Sequence, residues 1–271
     1  MKRALITGGN KGIGFEIARE LGKSGYEILL GARNETLGNS AVEELKKEGI
    51  TASFIKIDLN NFATLHQATN SAGKIDVLVN NAGIPGNLKT EKSNLDMAKS
   101  SLAYTTEELR ETMEVNFFGT HELIKSLLPN LTSEAKIVNI TVPISSPHWH
   151  PLAYTTSKAA LNVMTMVFGM EFSKTSKHQI FGVMPGAVAT DLNGMGKVIH
   201  LLEKVKKGEE IEGSDIKLPK EMAHLVKTGL VKTPNEAAKL IAGFVLDGKN
   251  YNGKILNWNG SEINSYEPDI H

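Results

Sequence analysis

The chain has no cysteine in its 271 residues. Disulfides, thiolate nucleophiles and cysteine-ligated metal sites are therefore excluded, and the composition is typical of a cytoplasmic protein. An excess of one charge is missing too, because 30 basic and 30 acidic residues give a formal net charge of zero. Since nucleic-acid-binding domains usually carry a basic face, we expect no nucleic-acid partner.

Hydrophobic runs long enough to cross a bilayer are also lacking. The most apolar helical candidate, residues 159–172, is too short and contains Asn162 and Glu171. The first residues lead directly into an apolar strand, without the pattern of a signal peptide. We therefore expect no membrane association. Hydrophobic residues still make up 41% of the chain, enough for the core of one large domain over residues 1–271.

Strand and helix signals alternate along this domain. The predicted strands are residues 2–6, 27–32, 53–57, 75–79, 136–140, 179–184 and 254–258. The predicted helices are residues 12–24, 36–48, 62–72, 107–128, 154–173 and 235–246. Such alternation predicts an α/β fold with a doubly wound parallel sheet. Two connections are unusually long, 84–106 and 193–233, and we expect the second to be a substrate-loop insertion with helices near 197–206 and 219–227.

A glycine-rich segment, TGGNKGIG at residues 7–14, follows the first predicted strand. Gly8 and Gly12 let the backbone turn tightly and approach a pyrophosphate, and Gly14 lets the next helix pack on the sheet. The start of that helix offers free N–H groups and the positive end of its dipole. The segment predicts a dinucleotide site, with an ordinary glycine-rich turn as the alternative.

Tyr154 and Lys158 are four residues apart in a predicted helix and therefore share one face. A cation beside a phenol favours the phenolate, so we expect Lys158 to lower the pKa of Tyr154 from about 10 towards neutrality. Such a tyrosine can give a proton to a carbonyl oxygen or take one from an alcohol. A chance Tyr-x-x-x-Lys pattern on a solvated helix is the alternative.

Together these motifs resemble the short-chain dehydrogenase/reductase family over nearly the whole chain. The glycine segment has the family's T-G-x-x-x-G-x-G spacing, and Asp58 matches its adenine-contacting residue. Residues 80–83 (NNAG) and 185–186 (PG) match two family loops. Residues 189–194 (ATDLNG) are similar to the carbonyl-reductase branch. The resemblance implies a Rossmann fold and NADP-dependent reduction of an aldehyde or ketone, or the reverse reaction.

The resemblance also implies roles for individual residues. The implied catalytic residues are Asn116, Thr141, Tyr154 and Lys158. The implied cofactor-binding residues are Gly8, Asn10, Lys11, Gly12, Ile13, Gly14, Arg33, Asp58, Leu59, Asn81, Ala82, Gly83, Asn116, Tyr154, Lys158, Pro185, Gly186, Val188 and Thr190. In the family's mechanism Tyr154 donates the proton as hydride reaches the carbonyl carbon, and Lys158 tunes Tyr154 and binds the nicotinamide ribose.

Two of these roles have alternatives. The family's serine usually lies thirteen residues before the tyrosine, which points to Thr141 as the group that orients the carbonyl oxygen. Alignment by the fifth strand puts Val142 there instead, and Ser145 or Ser146 would then reach the site. Asn116 is expected to hold a water near Lys158 in a proton relay, and the alternative is a buried asparagine satisfied by backbone groups.

The charges near the nucleotide motif favour NADP(H) over NAD(H). NAD sites of this type carry an acidic residue at the end of the second strand, and this strand ends in Gly31-Ala32-Arg33. Arg33 and Lys11 can both reach a 2′-phosphate, the arginine in bidentate fashion. The alternative is a pair of surface cations near Glu35.

Partners and rival functions complete the expectations. The helix at 154–173 is apolar on more than one face, so we expect a homodimer or homotetramer, unless residues 87–106 cover that face and keep a monomer. We do not expect His148 and His150 to bind a metal, because two histidines fall short of a zinc set, and we expect His148 and Trp149 to shape a substrate pocket instead. The main rival is a non-catalytic NADP-sensing protein. An epimerase or dehydratase would show T-G-x-x-G-x-x-G spacing, which is absent.

Overall fold

A computed structural model of the protein describes residues 1–86, 99–142, 151–193, 195–196, 199 and 231–263. Seven strands in this part of the chain form one sheet in which all neighbours are parallel. They are β1 (Arg3–Thr7), β2 (Glu27–Ala32), β3 (Ala52–Lys56), β4 (Ile75–Asn80), β5 (Leu131–Ile140), β6 (Gln179–Met184) and β7 (Ile255–Asn257). Their order across the sheet is β3-β2-β1-β4-β5-β6-β7.

Helices cover both faces of this sheet. They are α1 (Gly12–Lys23), α2 (Glu35–Lys47), α3 (Phe62–Ala72), α4 (Thr106–Met113), α5 (Thr120–Leu127), α6 (Leu152–Thr175) and α7 (Pro234–Leu246). One buried cluster, which includes Ile17 and Ile241, packs α1, α2 and α7 on one face. Another, which includes Leu123 and Leu161, packs α3, α5 and α6 on the other. The predicted doubly wound α/β fold is confirmed. Among the helices of the described segments, none has the length and apolar character of a membrane span.

The predicted helix at 107–128 is interrupted in the structure. A π-helical segment, Glu114–Gly119, separates α4 from α5, and a 3-10 turn, Leu128–Asn130, follows α5. Gly119 packs so closely on the backbone of Leu59 that a Cβ there would overlap its carbonyl oxygen. Sequence periodicity does not reveal such a change of helical pitch, and the segment lies where Gly119 packs against the loop after β3. π-helical turns of this kind are frequent at functional sites.

β5 is longer than predicted. It begins at Leu131, whereas the strand predicted from the sequence begins at residue 136. Its pairing with β4 changes register between Ile75 and Val77, so the early residues join the sheet across an irregularity. In that early segment, LTSEA, only Thr132 belongs to the residue types that favour strands, and the tertiary context places the segment in a strand.

The two ends of the long connection after β6 are joined to each other. The amide of Lys232 donates to the carbonyl of Ala187 at 2.9 Å, and the amide of Ala189 donates to the carbonyl of Lys232 at 2.9 Å. Thr233 then caps the start of α7 with a capping box, in which its hydroxyl accepts from the backbone amide of Glu236 and its own amide donates to the Glu236 carboxylate. The helices predicted near 197–206 and 219–227 lie almost wholly outside the described residues.

Candidate active site

The loops that carry the predicted site residues leave the sheet at one edge. Because the strands are parallel, all their carboxyl ends lie there, and β1 is flanked by β2 on one side and β4 on the other. The strand order therefore reverses direction between β1 and β4. In open α/β sheets ligands bind in the crevice at this switch point.

The glycine loop has the backbone shape of a phosphate site. Gly8 and Gly12 have φ values of 63° and 60°, in the left-handed region. Gly14 has no room for a side chain, since a Cβ would overlap the Asn81 amide and the Gly8 carbonyl. The first turn of α1 contains no acidic residue, and its N-cap, Lys11, makes no side-chain capping bond. The start of α1 therefore offers its N–H groups to an anion.

Thr7 and Asn81 bind the glycine loop to the loop after β4. The Thr7 hydroxyl accepts from the amides of Asn81 and Ala82 at 3.0 and 3.1 Å. The Asn81 side-chain amide donates to the carbonyls of Thr7 and Gly8 at 3.1 and 3.2 Å. These bonds fix the floor of the crevice. The contribution of Thr7 was missed in the sequence, where it stands only as the first letter of the motif.

The expected 2′-phosphate residues lie on exposed parts of the same edge. Arg33 follows β2 directly, and its neighbour Asn34 caps α2 by accepting from Leu37 N at 2.9 Å. The Lys11 ammonium lies 2.8 Å from Asp191 Oδ2.

Other expected cofactor residues occupy the surrounding loops. Asp58 and the buried Leu59 follow β3, and Asn10 and Ile13 lie in and just after the glycine loop.

The loop after β6 approaches the glycine loop. Gly186 has a φ of 78°, and Val188 pairs with Lys232 in a short parallel bridge. A Cβ built on Gly12 would lie 4.0 Å from Cγ2 of Thr190, an ordinary van der Waals distance. The structure thus brings the Pro185-Gly186 motif to the crevice, opposite the phosphate-binding turn.

Tyr154 and Lys158 lie buried on α6, at 9% and 3% exposure. The Lys158 ammonium donates to the carbonyl of Ile140, at the end of β5, at 2.8 Å. It lies 5.7 Å from the centre of the Tyr154 ring. Gly83 packs close by, since a Cβ built there would be 3.7 Å from Lys158 Nζ. The loop after β4, the end of β5 and α6 therefore meet at these two side chains.

The pKa values of this pair differ from the sequence expectation. Burial raises the pKa of Tyr154 to about 12 and lowers the pKa of Lys158 to about 8. The expected lowering of the Tyr154 pKa is thus wrong for the free protein. The ammonium binds a backbone carbonyl rather than the phenol, and the dry surroundings disfavour the charged form of each group.

The buried lysine predicts a pH dependence of stability. The folded chain releases the Lys158 proton near pH 8, and the unfolded chain releases it near its ordinary pKa of 10.5. Between these values the unfolded state binds more protons, so Lys158 makes the free energy of unfolding rise with pH. The free energy of unfolding, measured with urea, should rise between about pH 7 and about pH 10. The rise should be larger in the wild type than in Lys158→Met, by an amount on the order of 3 kcal/mol. Equal gains for the two proteins would contradict this assignment.

Asn116 lies in the π-helical segment and is fully buried. Its Oδ1 accepts from the amide of Ile84 at 2.8 Å, and its Nδ2 donates to the Ile84 carbonyl and to Ser157 Oγ, both at 3.0 Å. The Ser157 hydroxyl donates to the Tyr154 carbonyl at 2.7 Å. The amide thus joins the loop after β4 to α6, and the backbone-satisfied alternative describes most of its contacts. The water relay stays a prediction.

Ser157 was missed as a member of this arrangement. It is one turn after Tyr154 and fully buried. Serine favours caps and turns over helix interiors, so a buried serine in mid-helix is unusual. A polar residue inside the Tyr-x-x-x-Lys turn was the available signal.

Thr141 follows β5 and is buried beside the same turn of α6. Its hydroxyl donates to the Lys158 carbonyl at a long 3.4 Å, and its amide donates to the Val183 carbonyl at 3.0 Å. Val142 is the residue that alignment by the fifth strand places at the family's serine position. Its carbonyl accepts from the Asn162 side chain at 3.3 Å. Ser145, Ser146, His148, Trp149 and His150 lie outside the described residues.

The sequence and the structure of the chain are similar to those of known proteins. A family model described as short chain dehydrogenase matches residues 2–197. Carbonyl reductase (NADPH) 1 of Mus musculus is 37% identical over 147 residues, 52% of this chain and 49% of that protein. The chain thus spans about half the length of the carbonyl reductases it matches. Salutaridine reductase of Papaver bracteatum is 29% identical over 268 residues, 72% of this chain and 85% of that protein.

A solved structure covers more of the chain. An actinorhodin polyketide ketoreductase variant with NADPH superposes with a TM-score of 0.75 at 26% identity, covering 94% of this chain and 95% of its own. The family model covers the glycine loop, the loop after β4 and the Tyr154–Lys158 turn. The chain belongs to the short-chain dehydrogenase family.

Proposed function

We propose that the protein is an NADP(H)-dependent oxidoreductase that reduces an aldehyde or ketone to an alcohol, or catalyses the reverse reaction. The observation that carries this proposal is the buried Tyr154–Lys158 pair on α6, at the crevice where the uncapped start of α1 lies. The relatives carbonyl reductase and salutaridine reductase support, by their names, a carbonyl substrate.

The residues present fit a dinucleotide with a 2′-phosphate. The left-handed glycines and the open start of α1 provide the pyrophosphate site, and the end of β2 has a cation, Arg33, where an NAD site has an acid. Asp58, the loop at Asn81–Gly83 and the loop at Pro185–Thr190 would hold the remaining groups. When bound, NADPH supplies the hydride. The NADPH of the structural neighbour supports the same cofactor.

The chain's own residues supply and direct the proton. The Tyr154 phenol is neutral at physiological pH because burial holds its pKa near 12, so it carries the proton that a developing alkoxide needs. Lys158, anchored on the Ile140 carbonyl, brings a donor group close to the same place. Thr141 would orient the carbonyl oxygen. Asn116 and Ser157 hold α6 and the loop after β4 in register.

We infer a single domain over residues 1–271, in which residues 193–233 form a wall of the substrate site. The joined ends of this connection at Ala187–Ala189 and Lys232 support that placement, because they lie beside the loop after β6.

The role of Thr141 is open to a direct test. Thr141→Val keeps the side-chain shape and removes the hydroxyl, so we expect kcat to fall on the order of 10²-fold. The free energy of unfolding should fall by about 1 kcal/mol at most, since the hydrogen bond to Lys158 is long. Ser145→Ala and Ser146→Ala are the matched controls and should have smaller effects. A larger loss in Ser145→Ala would move the assignment to that residue.

A homodimer or homotetramer is also proposed. Val163, Val167 and Met170 lie at helical spacing on α6 and are exposed by 53%, 53% and 63%. Phe118, exposed by 47%, contacts Phe117 in the π-helical segment nearby. Valine and methionine side chains are seldom left so open in a row on a helix, and burial against a second copy would remove them from water.

Light scattering tests this proposal. We expect a mass of at least twice the 29.4 kDa of one chain, falling towards the monomer in Val167→Asp. Leu37→Asp, on α2, is the matched control because Leu37 is exposed by 54% and should leave the mass unchanged. A wild-type monomer at high concentration would reject the oligomer and support a covering segment at 87–106.

The test of the function is NADPH oxidation across a panel of aldehydes, ketones, diketones and quinones. We expect turnover of at least one class. The rival, a non-catalytic NADP sensor, has one observation in its favour: the Thr141 hydroxyl faces a helix carbonyl rather than open space. Tight NADPH binding with no turnover across the panel would favour the sensor.

A further inference from the structure

An ion pair crosses the mouth of the nucleotide crevice. Lys11, between β1 and α1, places its ammonium 2.8 Å from Oδ2 of Asp191, which begins the 3-10 turn Asp191–Asn193 after β6. The two residues are 180 positions apart in sequence. Their loops also lie close together at Gly12 and Thr190, where a Cβ built on Gly12 would be 4.0 Å from Thr190 Cγ2. The pair therefore joins the phosphate-binding turn to the loop on the opposite side.

Neighbouring residues restrain the position of the Asp191 side chain, whereas the Lys11 side chain is exposed and flexible. The backbone at Gly196 packs so tightly on the Asp191 side chain that a Cβ there would overlap Oδ1. The amide of Met195 donates to the Thr190 carbonyl at 2.9 Å, and Met195 is buried. Lys11 has a long flexible side chain on an exposed loop. The lysine is thus the member of the pair that can exchange partners.

The pair turns Lys11 away from the place where the 2′-phosphate is expected. Arg33 follows β2, next to β1 on one side, whereas Asp191 follows β6, beyond β4 and β5 on the other. In this fold the 2′ position of the ribose is read at the end of β2. Lys11 therefore has to leave Asp191 before it can pair with a 2′-phosphate beside Arg33.

We propose that Asp191 competes with the 2′-phosphate of NADP(H) for Lys11, and that it thereby limits both the affinity for NADP(H) and the preference over NAD(H). The inference rests on the proposed function. The Lys11 and Asp191 side chains are 65% and 60% exposed, so the competition has the strength of an exposed ion pair. It corresponds to a change of about two- to fivefold in affinity. NAD(H), which has no 2′-phosphate, leaves the pair intact and is not affected.

A double-mutant cycle tests the proposal by binding alone. Dissociation constants for NADPH and NADH are measured by calorimetry at low salt, where exposed charges are least screened, for wild type, Asp191→Asn, Lys11→Gln and the double variant. We expect Asp191→Asn to tighten NADPH about two- to fivefold and to leave NADH unchanged. In the Lys11→Gln background, Asp191→Asn should have no effect on either cofactor.

Three outcomes would overturn the competition. NADPH affinity that is unchanged or weaker in Asp191→Asn shows that the carboxylate does not oppose the cofactor. An equal gain in NADH affinity in Asp191→Asn shows only that a negative charge near the pyrophosphate weakens any dinucleotide. A gain in NADPH affinity that persists in the Lys11→Gln background shows the same. A wild-type protein that binds neither dinucleotide would instead overturn the proposed function itself, so the two failures are distinguishable.

Discussion

Replacing Tyr154 with phenylalanine is expected to lower kcat by about 10²- to 10⁴-fold while NADPH affinity stays nearly constant. The change deletes only the phenolic hydroxyl, which we propose as the proton donor. The ring remains in its buried place on α6, so the packing that positions Lys158 is kept. Steady-state kinetics on an active substrate, together with NADPH binding by calorimetry, separate the chemical step from the binding step.

A matched control removes a tyrosine hydroxyl at the opposite edge of the sheet, where the strands begin. Tyr251 precedes β7, and its hydroxyl donates to Asp247 at 2.6 Å, far in the topology from the carboxyl edge. Tyr251→Phe should keep full activity. Lys158→Ala should lower both kcat and NADPH affinity, because we propose that the ammonium assists the proton donor and binds the cofactor. Full turnover by Tyr154→Phe would remove the tyrosine from the mechanism.

Arg33→Asp is expected to invert the cofactor preference from NADPH to NADH. A charge-assisted contact to a 2′-phosphate contributes about 1.5–3 kcal/mol, so its loss weakens NADPH by about 10- to 150-fold. The new carboxylate repels the phosphate and can accept a hydrogen bond from the 2′-OH of NADH. Dissociation constants for both cofactors, measured at one ionic strength, give the ratio directly.

Lys47→Asp is the control for the change of net charge. Lys47 is exposed in the last turn of α2, the helix that begins just after Arg33, and so lies about 20 Å away at the far end of that helix. Its substitution should leave the ratio of the two affinities unchanged. A wild type with equal affinity for NADH and NADPH would contradict the role given to Arg33.

The fold was predictable because its signals are local. Short apolar runs between amphipathic helices indicated the parallel sheet, and the glycine spacing marked the turn between β1 and α1. The structure adds the contact that requires Gly14, where a side chain would overlap the Asn81 amide. The boundaries that failed depend on distant contacts instead. The π-helical segment forms where Gly119 meets Leu59, and the early part of β5 is recruited by β4.

The candidate site was predictable in its parts and less so in its electrostatics. The Tyr154–Lys158 spacing identified two side chains on one face, and both are there. The pKa prediction failed because sequence distance does not reveal burial or the Ile140 carbonyl that binds the ammonium. The Lys11–Asp191 pair was equally invisible, since it joins residues that only the fold brings together.

The central claim, carbonyl reduction with NADPH through Tyr154, is tested most directly by isotope transfer. The protein is incubated with NADPH that carries deuterium at both positions of nicotinamide C4, so that transfer from either face is labelled, and with a carbonyl substrate from the panel. The alcohol is then analysed by mass spectrometry. We expect one deuterium on the carbinol carbon with wild-type protein and with Tyr251→Phe, and almost none with Tyr154→Phe. Bound NADPH with no labelled alcohol from any carbonyl compound would contradict the account.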